Sequence, residues 1–497
     1  MFFSDLDSGP NVGGLNNKGA IVTVWGKNFG ASRGNAVVTV GGGAADSYVS
    51  WSDNKIVFQL GAGAASGQIV VTSGSSQTSN GSPFTVRSGP IYFVAPGATG
   101  SGSYAAPMSP SAAYAAITPG AVFYFRGGSY TEQYGQLGWS DHNFVIGASK
   151  RGTAGNPVAF VGYPGETADF SGHGTFGLRD SSESMGDYLT IANLRMRCIT
   201  QCISGGANTN AYAEVAKSGA KGVRLVGNVI SANYTWNTQT GLVSIGADGW
   251  RVYGNELKDT GTTPSINNNH AIYIQVGASD VDVGWNYLHD LRMGHLIQVH
   301  TDTAFRYDNV RIHDNILTAA NPDDSRGINV GRTLDSSNGS IYNNVLSNLG
   351  QDFSAIAIYS GSWNIFNNTL YNIKASSGMI WLNSSIGSPR ASIVNNILSS
   401  DGASPYVGLV AGTRWSQITL TNNLYFNGAD VPSQDARAVT SDPLFVNAAR
   451  GDLRLQSRSP AIDKGSQLVI GIVATDRDGK SRPLSSAVDI GAFEYAP

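Results

Sequence analysis

Residues able to transfer protons or hold charge concentrate between residues 270 and 332 of the 497-residue chain. Five of its seven histidines lie there. Histidine and tyrosine side chains commonly act as general acids and bases, carboxylates do the same in hydrolysis, and arginine stabilises developing negative charge. The candidates for catalysis are His270, Tyr273, His300, Asp302, Asp324 and Arg326.

These candidates lie in or beside short segments in which apolar and polar residues alternate, a pattern that predicts half-buried β-strands. Aligning the segments on inward aliphatic residues such as Ile272 and Ile274 places the outward residues in two columns. The first column contains Ser244, Tyr273, Gln298, Asn329, Ala357 and Trp381. The second column contains Gly246, Gln275, His300, Gly331, Tyr359 and Asn383.

Because adjacent strands lie about 4.8 Å apart, neighbours within a column can contact the same ligand. Polar side chains mixed with tyrosine and tryptophan rings suit a groove that binds sugars. We therefore expect Gln275, Gln298, Asn329, Arg332, Tyr359, Trp381 and Asn383 to bind substrate. His295 aligns with an inward position, which favours a structural role, whereas His270 and His300 are expected beside the outward columns. His289 and His313, near the asparagine corners, are expected to be structural residues bonded to backbone.

The strands belong to a repeat of roughly 24 to 35 residues that ends each time in an asparagine. These asparagines occur at 193, 228, 255, 286, 315, 344, 368, 396 and 423. Two or three short strands per repeat predict a parallel β-helix, in which each repeat forms one coil. An asparagine at a fixed corner can adopt left-handed backbone geometry, and its amide can bond to the asparagines of neighbouring coils.

The composition excludes several classes of protein. Net charge is −3, so nothing indicates nucleic acid as a partner. No apolar run approaches the length of a membrane span, and we expect no membrane insertion. The first residues, MFFSDLDSG, show no signal-peptide pattern. The two cysteines, Cys198 and Cys202, fit either a local disulfide or two small buried residues.

The segments before and after the repeats indicate three parts. Residues 1–88 contain five short strands separated by turns, which predicts a small antiparallel sandwich. This part resembles the immunoglobulin-like IPT/TIG domain in its landmarks Gly26-Lys27-Asn28-Phe29-Gly30, Trp51-Ser52-Asp53 and Phe84-Thr85-Val86. Its expected role is structural, with glycan binding as the alternative. Residues 89–430 are the predicted β-helix, and residues 431–497 form its capping segment.

The β-helix part resembles the right-handed parallel β-helix superfamily of pectate-lyase-like carbohydrate-active proteins. The resemblance rests on the repeats and on motifs at either side of them, among them Arg126-Gly127-Gly128, Gly162-Tyr163-Pro164-Gly165-Glu166 and Asp489-Ile490-Gly491-Ala492-Phe493-Glu494. It implies an all-β protein that acts on an extracellular polysaccharide. It also implies a secreted or cell-surface location in a bacterium. We expect a monomer.

The preferred reaction is β-elimination by a polysaccharide lyase acting on a glycan that contains uronic acid. Tyr273 with His270 or His300 would share the base and acid roles. Arg326 and Arg332 would neutralise the substrate carboxylate. Pectate-lyase-like relatives use a lysine or arginine base with calcium held by aspartates. Asp302, Asp323 and Asp324 do not reproduce that motif, so calcium is expected only by resemblance and no metal is assigned.

Two alternatives remain open. A glycoside hydrolase needs two carboxylates about 5 to 9.5 Å apart, and Asp302 and Asp324 occupy comparable places on adjacent coils. Asp323 and Asp324 also fit a solvated turn after Pro322. A non-catalytic glycan-binding or adhesin solenoid would use the same two columns only as a binding surface.

Overall fold

A computed structural model describes residues 1–135, 142–178, 185–199, 201–205, 219–232, 241–258, 270–291, 294–300, 305–351, 353–410 and 412–497. Strands predominate, and the chain contains a β-solenoid of about 10 turns. Two compact units are present, the first made of residues 1–198 and 220–230 and the second of residues 199–219 and 231–497. Among the described residues, none of the helices combines the length and apolarity needed to cross a bilayer.

The first unit begins with the predicted immunoglobulin-like sheet. Its strands are Phe3–Ser4, Ser8–Gly9, Ile21–Trp25, Val37–Val40, Gly43–Trp51, Lys55–Leu60, Gly67–Thr72 and Ser82–Val86, with a 3-10 turn at Leu15–Asn17. The pairings are antiparallel except that Ser8–Gly9 runs parallel to Ser82–Val86. Apolar residues on these strands, such as Val22, Val24 and Phe58, are fully buried and form the core of the domain.

The remainder of the first unit contains β-helix coils. One face has strands Ile91–Val94, Val122–Phe125, Val158–Gly162, Leu189–Ala192 and Arg224–Val226. The second face has Gly128–Tyr130, Ala168–Gly172, Arg195–Cys198 and Val229–Ala232. The third face has His142–Val145 and Gly174–Gly177. A short helix spans Pro110–Ala115, and the Ser109 side chain caps it by accepting from the Ala112 amide. A 3-10 turn lies at Ala148–Lys150.

The immunoglobulin-like domain packs directly against these first coils within the unit. The hydroxyl of Tyr124 accepts from the Ile21 amide at 2.7 Å and donates to the Ile21 carbonyl at 2.9 Å. The buried carboxylate of Asp5 accepts from the Asn193 amide at 2.8 Å. The domain is therefore fixed to the coils by buried hydrogen bonds.

The second unit contains three parallel sheets, one strand of each per coil. The first sheet has Arg251–Tyr253, Asp282–Gly284, Val310–His313, Asn338–Tyr342, Ser362–Phe366, Arg390–Val394 and Ile418–Thr421. The second has Glu256–Lys258, Tyr287–Leu288, Ile316–Thr318, Val345–Ser347, Thr369–Ile373, Ile397–Ser400 and Leu424–Phe426. The third has Ile203–Gly205, Gly241–Ile245, His270–Ile274, His295–Val299, Arg326–Val330, Ile356–Ile358, Ile380–Asn383 and Val407–Val410.

The chain ends in a segment that packs on the second unit. It contains a hairpin of Phe445–Asn447 and Asp452–Leu455 and 3-10 turns at Ala448–Arg450 and Gln467–Val469, and another 3-10 turn lies at Trp415–Gln417. Val469, Val473 and Val488 bury against Phe366 and Val394 of the first sheet.

Cys198 and Cys202 are disulfide-bonded, which decides between the two alternatives left open by the sequence.

The asparagines form a ladder, as predicted, in the second unit. The side-chain amide of Asn286 donates to Oδ1 of Asn315 at 2.9 Å, and the backbone amide of Asn286 donates to the same oxygen at 3.0 Å. The same pattern joins Asn255, Asn286, Asn315, Asn344, Asn368, Asn396 and Asn423. The ladder ends at the carboxylate of Asp435, which accepts from the Asn423 side chain.

Two details of the predicted ladder were wrong. The left-handed residue is the one before each ladder asparagine, as at Asp314 with φ 54° and Asn343 with φ 53°. Asn193 has φ 57° and belongs to that preceding column, while Leu194 occupies the ladder position beside Asn228. The ladder asparagine bonds to the coils on both sides, so the tight turn is made by the residue before it. Asn, Asp and Gly adopt the positive φ of that turn most readily.

Candidate active site

The first outward column is confirmed by the register of the third sheet. Ser244 pairs with Tyr273, Tyr273 with Gln298, Gln298 with Asn329, Asn329 with Ala357, and Ala357 with Trp381. Ile272 and Ile274 alternate with Tyr273 and are fully buried. Tyr273 and Gln298 are partly exposed, and the side-chain amide of Asn329 donates to Oε1 of Gln298 at 3.0 Å.

The second column continues two residues further along each strand. The amides of Gln275, His300, Gly331 and Tyr359 each donate to the carbonyl of a residue on the preceding coil, and Asn383 pairs with Val410. His300 and Tyr359 are partly exposed. Given the strand spacing and rise, the Cα atoms of Tyr273 and His300 lie about 8 Å apart, close enough for both side chains to reach one sugar.

His300 is held in a single orientation by backbone. Its Nδ1 accepts from the Arg332 amide at 2.8 Å. A Cβ on Gly331 would lie 2.1 Å from that nitrogen, so the ring packs directly over a residue that has none. Because Nδ1 is the acceptor, a neutral His300 carries its proton on Nε2. His300 therefore presents a hydrogen-bond donor.

His270 is held in the opposite tautomer. Its Nδ1 lies 3.0 Å from the His295 carbonyl, which can only accept, so the ring donates from Nδ1 and has a lone pair on Nε2. The ring centroids of His270 and Tyr273 are 5.3 Å apart. Burial lowers the pKa of His270 to about 4, partly opposed by the His295 carbonyl. His270 therefore stays neutral at pH 7 and presents an acceptor.

The expected contrast between His270 and His295 is wrong. The carbonyl bond and the register of the strands His270–Ile274 and His295–Val299 place both in one column, and both are buried, with 3% and 7% of their surface exposed. This column shares the parity of Ile272, so His270 does not lie beside the outward columns as predicted. It is the first residue of its strand.

Arg326 occupies the next position of that same column, in register with His295. Its guanidinium lies over the Phe353 ring at 4.5 Å from the centroid. Phe353 also packs edge-on against Trp381 at 4.6 Å, and Trp381 against Tyr359 at 5.3 Å. Phe353 was missed by sequence reasoning because it precedes its strand in a segment without alternation, GQDFSA.

Asp323 and Asp324 lie apart from the two columns. Asp323 is exposed and accepts from Lys374 Nζ at 2.8 Å. Asp324 belongs to the turn before the strand Arg326–Val330, its amide bonded to the Asn321 carbonyl. Asp302 lies outside the described residues, so the hydrolytic pair with Asp324 stays a prediction. Arg332 is exposed and contributes its amide to His300.

Neither of the histidines expected at corners lies in the groove. His313, on the first sheet, bonds to Asp282 and Asp314 at 2.6 Å each, and His289 bonds to Glu256 and Asp290. Their partners are carboxylates, where backbone groups were predicted. Within the described part of the chain, no group of three or more His, Cys, Asp or Glu residues could hold a metal ion.

Comparison with known proteins assigns the N-terminal part. The family profile for the IPT/TIG domain matches residues 7–86. These residues form an IPT/TIG domain. The match falls within the part predicted to span residues 1–88. No curated protein matches the sequence.

Solved structures with similarity to the chain include several with a parallel β-helix. Pectate lyase Pel9A is 17% identical with a TM-score of 0.46, and the match covers 82% of this chain and 97% of that one. A rhamnogalacturonan lyase is 14% identical with a TM-score of 0.41, covering 72% and 91%. XylC in complex with xylose is 11% identical with a TM-score of 0.44, covering 82% and 99%.

Proposed function

We propose that the protein is an extracellular polysaccharide lyase that cleaves a uronic-acid-containing glycan by β-elimination on the third sheet of its second unit. The observation that carries the proposal is the pair of opposite tautomers beside Tyr273. His270 presents a lone pair on Nε2, and His300 presents a proton on Nε2. A base and an acid on either side of one polar side chain are what an elimination requires.

The proposed reaction has three proton transfers within the site. His270 Nε2 takes the hydroxyl proton of Tyr273, and the tyrosine oxygen removes the proton on the carbon α to the substrate carboxylate. The electron pair of that C–H bond forms a carbon–carbon double bond, and the glycosidic C–O bond at the β carbon breaks. His300 Nε2 gives its proton to the departing oxygen as a water molecule returns a proton to the ring, so that no imidazolate forms. The hydroxide left behind takes the proton held by His270.

Gln298 supports the charge that develops on the carboxylate. It is the register neighbour of Tyr273, and its Oε1 accepts from Asn329, which leaves its own NH₂ group as the donor for the substrate. Amide donors aimed at developing negative charge lower the barrier to proton abstraction. Gln275, one coil before His300, lies in position to bind the neighbouring hydroxyl groups.

The test compares variants of the full chain on alginate, pectin, a glycosaminoglycan and a neutral glucan. We expect Tyr273→Phe and His300→Ala to lose at least about a hundredfold in kcat, the usual contribution of a general acid or base. Wild-type protein should generate ultraviolet-absorbing unsaturated ends on one acidic glycan. The matched control is Tyr287→Phe, which alters a tyrosine 42% exposed on the second sheet.

Each outcome has one meaning. Reducing ends without ultraviolet absorbance would replace the lyase by a hydrolase. Retention of glycan with neither product would favour the non-catalytic binding solenoid. Full activity in both groove variants, with thermal unfolding unchanged, would remove this site.

A further inference from the structure

Four buried polar atoms on the third sheet lack a hydrogen-bond partner among the described residues. They are His295 Nδ1, Arg326 Nε, Asn329 Oδ1 and Trp381 Nε1. His295, Asn329 and Trp381 expose only 7%, 6% and 7% of their surface. An unsatisfied buried donor or acceptor typically costs about 1–3 kcal/mol. Three of these atoms lie on the adjacent strands His295–Val299 and Arg326–Val330, and the fourth lies two strands further along the same sheet. A bound ligand could supply the missing partners.

Arg326 adds an uncompensated charge to this group. No described residue forms an ion pair with its guanidinium, which is partly buried against Phe353. Burial lowers its pKa, with only the Tyr359 hydroxyl acting in the other direction. An arginine remains protonated even so. A partly desolvated cation without an anion destabilises the free protein, and a bound anion would remove that penalty.

We propose that Arg326, Asn329 and Trp381 form a subsite that binds the anionic group and a hydroxyl of a sugar other than the one that reacts. This inference rests on the proposed function only in naming a glycan as the ligand. The guanidinium fork binds a carboxylate through two parallel hydrogen bonds. Trp381 Nε1 donates to a sugar hydroxyl, and Asn329 Oδ1 accepts from one.

The separation from Tyr273 follows from the register. Arg326 lies two strands from Tyr273 and three residues nearer the strand start, so their Cα atoms are about 14 Å apart. The guanidinium also points onto Phe353, which precedes the next coil and lies further from Tyr273. Arg326 thus recognises a sugar other than the one that reacts, and the groove selects a glycan with more than one acidic sugar.

The experiment measures binding in a Tyr273→Phe background, in which bound glycan is not consumed. The ligands are hexameric oligogalacturonate and oligomannuronate, with cellohexaose as the neutral control and sulfated cellohexaose to distinguish sulfate from carboxylate. We expect Arg326→Met to weaken binding of an acidic hexamer about tenfold or more, as loss of a charge-assisted bidentate pair would. Arg326→Lys should restore part of the affinity.

A second measurement separates binding from a structural role. Because no described residue forms an ion pair with Arg326, Arg326→Met should raise Tm in the absence of ligand, whereas a structural arginine would lower it on substitution. The acidic hexamer should raise Tm of the wild-type side chain and not of Arg326→Met. Arg390→Met, at an exposed arginine on the first sheet, is the matched control.

The results bear separately on the two proposals. Arg326-dependent binding without cleavage of any glycan would overturn the lyase and keep the subsite. Cleavage of an acidic glycan with unchanged KM in Arg326→Met would keep the lyase and overturn the subsite. Equal binding of acidic and neutral hexamers, binding of neither, or a fall in Tm on Arg326→Met would also overturn it.

Discussion

At the scale of single residues, backbone groups decide what the two groove histidines can do. The His295 carbonyl fixes the tautomer of His270, and the Arg332 amide fixes that of His300. Neither partner can be read from the composition of the groove, since both are main-chain atoms of adjacent coils. The acid and base roles therefore depend on coil stacking as much as on the identities of the side chains.

Gly331 gives a direct test of the His300 orientation. A methyl group there would meet His300 Nδ1 at 2.1 Å, so Gly331→Ala should displace the ring and break its bond to the Arg332 amide. We expect kcat to fall by about tenfold to a hundredfold, with Tm nearly unchanged. Gly471→Ala is the control, because a Cβ there meets nothing within 4 Å. An unaltered kcat in Gly331→Ala would show that the ring orientation is unimportant.

The acidic limb of the pH–rate profile tests His270. Its pKa is lowered to about 4 by burial, so the lone pair on Nε2 persists until the pH falls to that region. We expect kcat/KM to decline near pH 4, well below the ordinary histidine value of about 6.5. A profile of initial rates from pH 3.5 to 8 in a constant-ionic-strength buffer provides the measurement. A limb near 6.5 would assign the base role to a more exposed group.

At the scale of the elements, the asparagine ladder holds each coil to the next. Asn315 Oδ1 accepts two bonds from Asn286, while its NH₂ group donates to Val283 and Asn344. Asn315→Ala removes these bonds and leaves their buried partners unsatisfied. We expect a loss of about 2–4 kcal/mol in unfolding free energy, measured by denaturant titration. Asn338→Ala, which removes one exposed bond to Asp308, should cost no more than about 0.5 kcal/mol.

The strands and the columns were predictable because the sequence itself shows the alternation of apolar and polar residues and the period of the repeat. Tyr273, Gln298 and Asn329 pair as expected, since a shift of one residue would turn the buried isoleucines outward. The strand starts and turns were not predictable in the same way. His270 was placed beside the groove because it was taken to precede the strand, whereas the strand begins at His270. Phe353 precedes its strand, where no period applies.

At the scale of the whole molecule, stability depends on charges buried beneath the surface of the first sheet. His313 lies between the carboxylates of Asp282 and Asp314, which raise its pKa to about 9 although burial alone would lower it. Because the folded pKa exceeds the unfolded value of about 6.5, this stabilisation is complete below pH 6.5. It declines as the pH rises and is lost above about pH 9.

Thermal unfolding against pH checks this expectation. We predict that Tm falls between pH 6.5 and 9.5 in the wild type. His313→Gln should lower Tm at pH 6.5, because it removes the cation that lies between the buried carboxylates of Asp282 and Asp314. It should also flatten the slope above that pH. His289→Gln, which alters a histidine on the second sheet, is the control. A wild-type Tm that is constant across the range would contradict the raised pKa.

The ladder also governs how such a chain can change in length. Each internal asparagine of the ladder accepts hydrogen bonds from the asparagine of one adjacent coil and donates to that of the other. Any two coils of the ladder could therefore pair through the same hydrogen bonds. Removing the 29 residues that separate Asn286 from Asn315 would bring Asn286 opposite Asn344 with the same hydrogen bonds available, whereas removing half as many would leave open ends on both sides. Insertions and deletions are therefore admitted in whole coils, and each added coil lengthens the groove by one strand.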